Sequence, residues 1–111
     1  MANKRVKPAD CRTMVELRQG VDDLDRQIVT LLAERFRYMA AAARIKPERH
    51  QVRDEGRKAQ VIRNARATAR AEGLDEELIA SLYDTLIETS IAYEFDRFDE
   101  GEVATAEQRS A

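Results

Sequence analysis

Apolar residues recur along the first half of the chain at alternating steps of four and three. The series is Leu17, Val21, Leu24, Ile28, Leu31, Tyr38, Ala42 and Ile45. This spacing is typical of one face of an α-helix. Thr13 and Glu16 form a capping-box pattern at its start, and Pro47 ends it after Lys46 because proline disfavours helical geometry in the preceding residue. We predict a helix of roughly 32 residues, about 48 Å long at 1.5 Å per residue.

Two further helices are predicted from the same kind of pattern. The second runs from about Arg53 to Glu72, and Gly73 supplies the residue that follows its end. Its inward positions are Val61, Ile62, Ala65 and Ala69. Asp75 caps the third helix, which continues to about Phe98. Its inward positions are Leu78, Leu82, Leu86, Ile87, Ile91 and Phe95.

The pattern therefore predicts an all-α fold with a three-helix protomer and one long N-terminal helix. We expect a helical domain over residues 12–98, a disordered N-terminal tail over residues 1–11 and a disordered C-terminal tail over residues 99–111. A chain of 111 residues makes one small domain, and the far end of so long a helix would expose its apolar face. The simplest remedy is a two-fold homodimer whose long helices lie antiparallel and share a core.

The composition of the chain limits the classes of function that it can have. Apolar residues are 43% and charged residues 36%, and the formal charge is −2, which argues against a nucleic-acid partner. A single cysteine, Cys11, suits a reducing cytosol, and neither a secretory signal nor a membrane span is visible, so we expect a cytoplasmic protein. His50 is interpreted as a surface residue. No metal-ligand spacing, phosphate-binding loop or Ser/His/Asp arrangement is present, which favours chemistry without a metal, cofactor or nucleophile.

Arg35 falls on the apolar stripe of the first helix, between Leu31 and Tyr38. A guanidinium buried without a partner costs several kcal/mol, so Arg35 either pairs with an acidic residue or binds an anionic ligand. Lys46 follows about three turns later and points roughly the same way. It could also simply complement the helix dipole. Two inward cations favour an anion site.

Three other groups could complete such a site. Arg18 is offset from Arg35 by about 100° around the helix, so it either pairs with Asp22 or reaches the pocket of a partner protomer. On the second helix, Asp54 and Arg57 share a face with Val61. On the third helix, Ser90 and Glu94 share a face with Ile87 where a core would prefer leucine. These polar groups would meet the cations of the first helix, and a structural salt bridge between Arg35 and Glu94 is the alternative.

The chain resembles the all-α chorismate mutase family over residues 12–98. The motifs that carry the resemblance are Glu16-Leu17-Arg18, Leu24-Asp25, Leu31-Leu32-Ala33-Glu34-Arg35, Ala43-Arg44-Ile45-Lys46, Val52-Arg53-Asp54 with Arg57, Gly73-Leu74-Asp75 and Ile87-Glu88-Thr89-Ser90. Each motif alone is weak, and their order and spacing together are fairly specific. Asp10-Cys11 before the first helix is more similar to the branch that contains isochorismate pyruvate-lyase.

The resemblance implies an intertwined homodimer that binds a small dicarboxylate without a cofactor. It assigns Lys46, Glu94 and Arg35 to catalysis. The implied substrate-binding residues are Arg18, Arg35, Lys46, Asp54, Arg57, Ser90 and Glu94. Within one subunit, Arg35, Lys46 and Arg57 would bind the carboxylates and the ether oxygen, and Arg18 would come from the partner. Ser90 would contact a carboxylate, and Asp54 would lie near the ring hydroxyl.

Two positions depart from the family pattern. Lys58 stands where well-known members have a glutamate that contacts the ring hydroxyl. Glu94 stands where many bacterial members have a glutamine that donates to the ether oxygen, and a carboxyl group donates only when it is protonated.

The implied activity is the Claisen rearrangement of chorismate to prephenate in the shikimate pathway of aromatic amino acid biosynthesis. Asp10-Cys11 favours isochorismate pyruvate-lyase instead, whereas Val52-Arg53-Asp54 favours the mutase. Because of Lys58, activity as a 4-amino-4-deoxychorismate mutase is a further alternative. The alternative from a different functional class is a non-enzymatic helical dimer or regulatory module, in which Arg35 forms a structural ion pair.

Overall fold

The computed structural model describes residues 5–110 of the chain, with side chains described for residues 5–108. Three α-helices account for most of these residues: α1 is Met14–Ile45, α2 is Glu55–Ala71 and α3 is Glu76–Ser110. Short 3-10 turns at Pro8–Asp10 and Arg49–Gln51 precede α1 and α2. The residues described contain no β-strand, so the predicted all-helical, three-helix class is confirmed.

The start of α1 is fixed by side-chain capping. The Thr13 hydroxyl accepts a hydrogen bond from the Glu16 backbone N–H at 3.1 Å, and the Glu16 carboxylate accepts one from the Arg12 N–H at 3.1 Å. The first bond satisfies a donor that the first helical turn leaves without an intrahelical partner, and the second holds the residue before the Thr13 cap. The helix spans 32 residues and ends one residue before Lys46, which confirms the predicted length.

A glycine turn joins α2 to α3. Gly73 adopts a φ of +72°, its N–H donates to the Arg70 carbonyl, and the Leu74 N–H donates to the Ala69 carbonyl. This is the Schellman motif, in which a left-handed residue lets the last carbonyls of a helix find donors. The Asp75 carboxylate then accepts from the Glu77 N–H at 2.9 Å and starts α3, as predicted.

The chain divides into two compact units, the first ending at Arg35 and the second beginning at Phe36. In the first unit, Arg5 forms an ion pair with Asp23 at 2.6 Å, and Gly20 is buried with the Arg5 side chain near it. The apolar stripe of α1 is exposed in the single chain, with Leu24 39% and Leu31 65% accessible.

The second unit contains the hydrophobic core. Ala43 from the end of α1, Val52 from the connection and Ile87, Ile91 and Phe98 from α3 form one buried cluster. Four partly buried side chains pack against it: Val61, Ile62, Tyr83 and Phe95. Ion pairs between α2 and α3 link later positions of α2 to earlier positions of α3, so the two helices run antiparallel.

The structure corrects two expected boundaries. α3 continues to Ser110 instead of ending near Phe98 with a disordered tail behind it. Gly101 costs a helix only about 1 kcal/mol, and the following stretch from Glu102 to Gln108 is rich in alanine and glutamate, which favour helix. At the other end, Pro8–Asp10 forms a 3-10 turn where a disordered tail was expected. Residues 1–4 and 111 of the two expected tails lie outside the described residues.

Replacing Gly73 and Gly101 by alanine should change the free energy of unfolding in opposite directions, because Gly73 lies in the turn and Gly101 lies within α3. A Cβ would meet no atom within 4 Å at either Gly73 or Gly101, so only backbone conformation distinguishes them. Gly73→Ala should destabilise the protein by about 1 kcal/mol because alanine tolerates positive φ poorly. Gly101→Ala should stabilise it by about 0.5–1 kcal/mol because alanine favours helix. Urea unfolding at one fixed protein concentration measures both. Equal effects of the two variants would contradict the assigned turn.

Candidate functional site

The second unit holds a buried carboxylate paired with a lysine. Glu94 on α3 is only 4% exposed, and its Oε2 accepts a hydrogen bond from the Lys46 ammonium at 2.6 Å. The Val52 carbonyl accepts from the same ammonium at 3.4 Å. An ammonium carries three N–H donors, so the two acceptors leave one for a ligand. The Lys46 side chain keeps 29% of its surface accessible, which gives a ligand access to it.

The helices place both partners by simple periodicity. Glu94 lies on the buried stripe of α3, three residues after Ile91 and four before Phe98. Lys46 directly follows α1, three residues after the buried Ala43. A polar residue on an otherwise apolar stripe must have a partner, because an unpaired buried carboxylate costs several kcal/mol. Lys46 therefore stabilises the fold and presents a fixed positive charge at its surface.

Ser90 lies one turn before Glu94 and is 3% exposed. Its hydroxyl donates to the Leu86 carbonyl at 2.7 Å, the usual backbone contact of a serine within a helix. Ser90 and Glu94 thus occupy the same buried face of α3, as the spacing of four residues predicted.

Asp54 and Arg57 lie at the start of α2, where Asp54 is the N-cap. Its Oδ1 accepts a hydrogen bond from the Arg57 backbone N–H at 2.9 Å, so the two residues are joined through the backbone of Arg57. The exposed guanidinium of Arg57 donates to Gln60 at 2.8 Å. Asp54 lines a surface groove of about 580 Å³ together with Lys46 and the residues that connect α1 to α2.

Arg18 and Arg35 belong to the first unit. Arg18 is exposed on α1, and Arg35 is half-buried. The second unit thus holds five of the predicted site residues, and it joins Lys46 directly to Glu94.

Lys58 is part of an ion-pair cluster that the sequence reading missed. Its ammonium lies 2.9 Å from Asp84 and 2.8 Å from Glu88, and Arg53 makes two hydrogen bonds to the same Glu88 carboxylate. These hydrogen bonds, from Arg53 first and then from Lys58, lower the pKa of Glu88 to about 2, so its carboxylate is ionised at neutral pH. Lys58 thereby ties α2 to α3.

A signal for this cluster exists in the sequence. Lys58 precedes the turn residue Gly73 by 15 positions, and Glu88 follows it by 15. In an antiparallel helical hairpin, residues equally distant from the turn lie at the same height, so opposite charges there can pair. This register predicts the Lys58–Glu88 pair, whereas the family pattern shows Lys58 only as a departure.

A second cluster fixes the connection between α1 and α2. The Arg49 guanidinium makes two hydrogen bonds to Asp99, at 2.9 and 3.3 Å, and lies 4.4 Å from the centre of the Phe95 ring. The hydrogen bond to Asp99 raises the pKa of Arg49. The Glu48 and Gln51 side chains cap the 3-10 turn reciprocally.

Such a site can hold and polarise an anion. Lys46 offers a directed, charge-assisted donor whose orientation is set by a buried carboxylate, and donors of this kind stabilise negative charge on oxygen. Among the residues described, no group of histidine, cysteine, aspartate and glutamate side chains is placed to hold a metal ion. None of the described helices has the length and apolar character needed to span a bilayer.

The family model described as chorismate mutase type II matches residues 17–95. One curated relative is an isochorismate pyruvate lyase from Pseudomonas aeruginosa. It is 29% identical over 85 residues, which cover 77% of this chain and 84% of the relative. The matched segment contains every predicted site residue, from Arg18 to Glu94.

Proposed function

Because the chain belongs to the chorismate mutase type II family, as its motifs indicated, we propose that it converts chorismate to prephenate by an intramolecular Claisen rearrangement. Membership of this family implies an enzyme. The observation that supports the proposal most directly is the Lys46 ammonium held at 2.6 Å by the buried Glu94 carboxylate. It is an oriented cation, and the sequence contains no recognisable Ser/His/Asp arrangement for nucleophilic catalysis.

The rearrangement makes specific electrostatic demands. One carbon–oxygen bond breaks as a carbon–carbon bond forms within the same molecule, and the ether oxygen gains negative charge in the transition state. A protein accelerates this step by holding the enolpyruvyl group over the ring and by placing donors at that oxygen. The third N–H of Lys46 is the donor we assign to the ether oxygen, and the Glu94 carboxylate orients that ammonium.

The remaining roles concern substrate conformation. We assign Arg35 and Arg57 to the substrate carboxylates, and Arg18 of the partner subunit to the same task. Ser90 is assigned to a carboxylate and Asp54 to the ring hydroxyl. Lys58 is excluded from this set, because its ammonium is shared by Asp84 and Glu88.

Isochorismate pyruvate-lyase activity is the second candidate. It is favoured by the similarity to the Pseudomonas aeruginosa relative, whose name states this reaction. The lyase releases pyruvate and leaves salicylate, again from a small dianion with an enolpyruvyl ether. The same oriented cation would serve both reactions, so the substrate has to be distinguished by experiment.

The reaction is tested by offering the purified protein chorismate, isochorismate and 4-amino-4-deoxychorismate separately and identifying each product by mass spectrometry. We expect loss of chorismate with formation of prephenate. Lys46→Ala, purified identically, should lose at least about a hundredfold in rate because it removes the donor at the developing charge. This variant also controls for a contaminating host mutase.

Each other outcome has a definite meaning. Formation of salicylate and pyruvate from isochorismate alone would replace the mutase by the lyase. Turnover of the amino substrate alone would assign the third activity. No turnover of any substrate by folded protein would favour the non-enzymatic helical module. Equal rates for Lys46→Ala and the unaltered protein would overturn the role of Lys46.

We also propose that the enzyme is a homodimer formed through α1. Leu17, Val21, Leu24, Ile28 and Leu31 repeat along one face of α1 in the first unit. Each of these side chains is 39–65% exposed in the single chain. An apolar face of this length is unfavourable in water, and a second copy related by a two-fold axis would cover it with an identical face. The arrangement would also bring Arg18 of one protomer to its partner.

Subunit complementation tests this arrangement. Arg18→Ala and Lys46→Ala homodimers should each be nearly inactive. Unfolding and refolding an equal mixture makes half of the dimers mixed, and one of the two sites in each mixed dimer is intact. Activity should therefore recover to about a quarter of the unaltered rate. A mixture that stays as inactive as its parents would contradict donation of Arg18 across the interface. Sedimentation at the assay concentration establishes the dimer itself.

A further inference from the structure

The connection between α1 and α2 supplies part of the environment of Lys46. Its last residues include Val52, which is 3% exposed and whose carbonyl accepts from the Lys46 ammonium at 3.4 Å. The Val52 N–H in turn donates to the Arg49 carbonyl at 3.1 Å. The backbone position of Arg49 is thus coupled through one hydrogen bond to an acceptor that orients Lys46.

Arg49 is itself fixed to α3 by two kinds of contact. Its guanidinium makes a two-point contact with Asp99 and lies over the Phe95 ring at 4.4 Å. A two-point guanidinium–carboxylate contact restricts rotation as well as distance, and the stacked ring restricts the guanidinium plane. The side chain of Arg49 therefore has a defined orientation although it is on the surface.

The two attachments of the connection lie close together on α3. Phe95 directly follows Glu94, the carboxylate that binds Lys46, and Asp99 comes one turn later. One stretch of α3 thus holds the Lys46 ammonium through Glu94 and the backbone beside it through Arg49.

The ion pair between Arg49 and Asp99 contributes little to the stability of the fold. The Arg49 and Asp99 side chains are 60% and 49% exposed, and ion pairs this exposed contribute little to the free energy of folding. Their position next to the Lys46 environment is what distinguishes them from other surface pairs.

We propose that Arg49 and Asp99 are a positioning pair that fixes the α1–α2 connection on α3 and so orients the Lys46 ammonium toward the substrate oxygen. The inference rests on the proposed function, since it presumes that Lys46 acts on the reacting ether. Neither residue touches substrate in this account. Their effect passes through Val52 and Lys46.

The test compares Asp99→Asn with the same kind of substitution in another surface ion pair. Arg66 and Glu77 also form a two-point, exposed contact, at 2.5 and 3.3 Å, and they join α2 to α3 away from Lys46. Glu77→Gln therefore controls for the loss of one surface ion pair. We expect Asp99→Asn to lower kcat about tenfold with little change in KM, because a misdirected donor weakens transition-state binding more than substrate binding. Glu77→Gln should leave kcat unchanged, and the midpoints of thermal unfolding of the two variants should agree.

A conservative variant and an activity-independent readout complete the design. Asp99→Glu keeps the carboxylate and should recover part of the lost kcat. Hydrogen exchange of the Gln51 and Val52 amides should be faster in Asp99→Asn than in Glu77→Gln, since the connection is no longer fixed. Equal kcat and equal exchange in Asp99→Asn and Glu77→Gln would overturn the positioning role. If the unaltered protein turns over none of the substrates, the proposed function fails, and the exchange comparison alone decides whether the pair holds the connection.

Discussion

The ion pair between Lys46 and Glu94 is the constraint on which the second unit depends. Glu94 occupies a core position of α3 and is 4% exposed, so its carboxylate would be strongly destabilising without the ammonium at 2.6 Å. Removing one partner of a buried pair typically costs about 3–5 kcal/mol. The pair therefore joins the end of α1 to α3 and fixes where the connection to α2 must run. Apolar pairs of similar volume often stabilise a fold as well as a buried ion pair does, which agrees with the binding role proposed for Lys46.

The proposed function requires a small helical protein to bind a dianion and to stabilise negative charge on one of its oxygens. The Lys46 side chain stays partly accessible to a ligand, and the hydrophobic helix core behind it lowers the local dielectric, which strengthens its interaction with negative charge. The buried Ser90 and Glu94 place polar groups on a face that packing alone would fill with leucine. Surface pairs such as Lys58 with Glu88 and Arg49 with Asp99 then hold α2 and the connection in register around it.

Local features of the fold were predictable from sequence. Between helices, the pairing of Lys58 with Glu88 followed from the register that the Gly73 turn sets, whereas the direct contact of Lys46 with Glu94 did not follow from any pattern. The Thr13 cap, the Gly73 turn and the Asp75 cap depend on neighbouring residues, so their patterns identified them. The end of α3 was predicted too early, because the small and polar stretch after Gly101 contains alanine and glutamate residues that favour helix. The sequence predicted Lys46 and Glu94 as site residues because each lies on an inward face of its helix. That they contact each other depends on the register of α1 against α3, which no periodicity specifies.

The most direct test of this account is calorimetric binding of a non-reactive cyclic ether dicarboxylate shaped like the transition state. Lys46→Met should bind it about tenfold to a hundredfold more weakly than the unaltered protein, because one charge-assisted hydrogen bond is lost. Lys58→Met removes a lysine of the same unit that is already shared by two carboxylates, and it should bind almost normally. Binding by Lys46→Met that equals that of the unaltered protein would contradict the account.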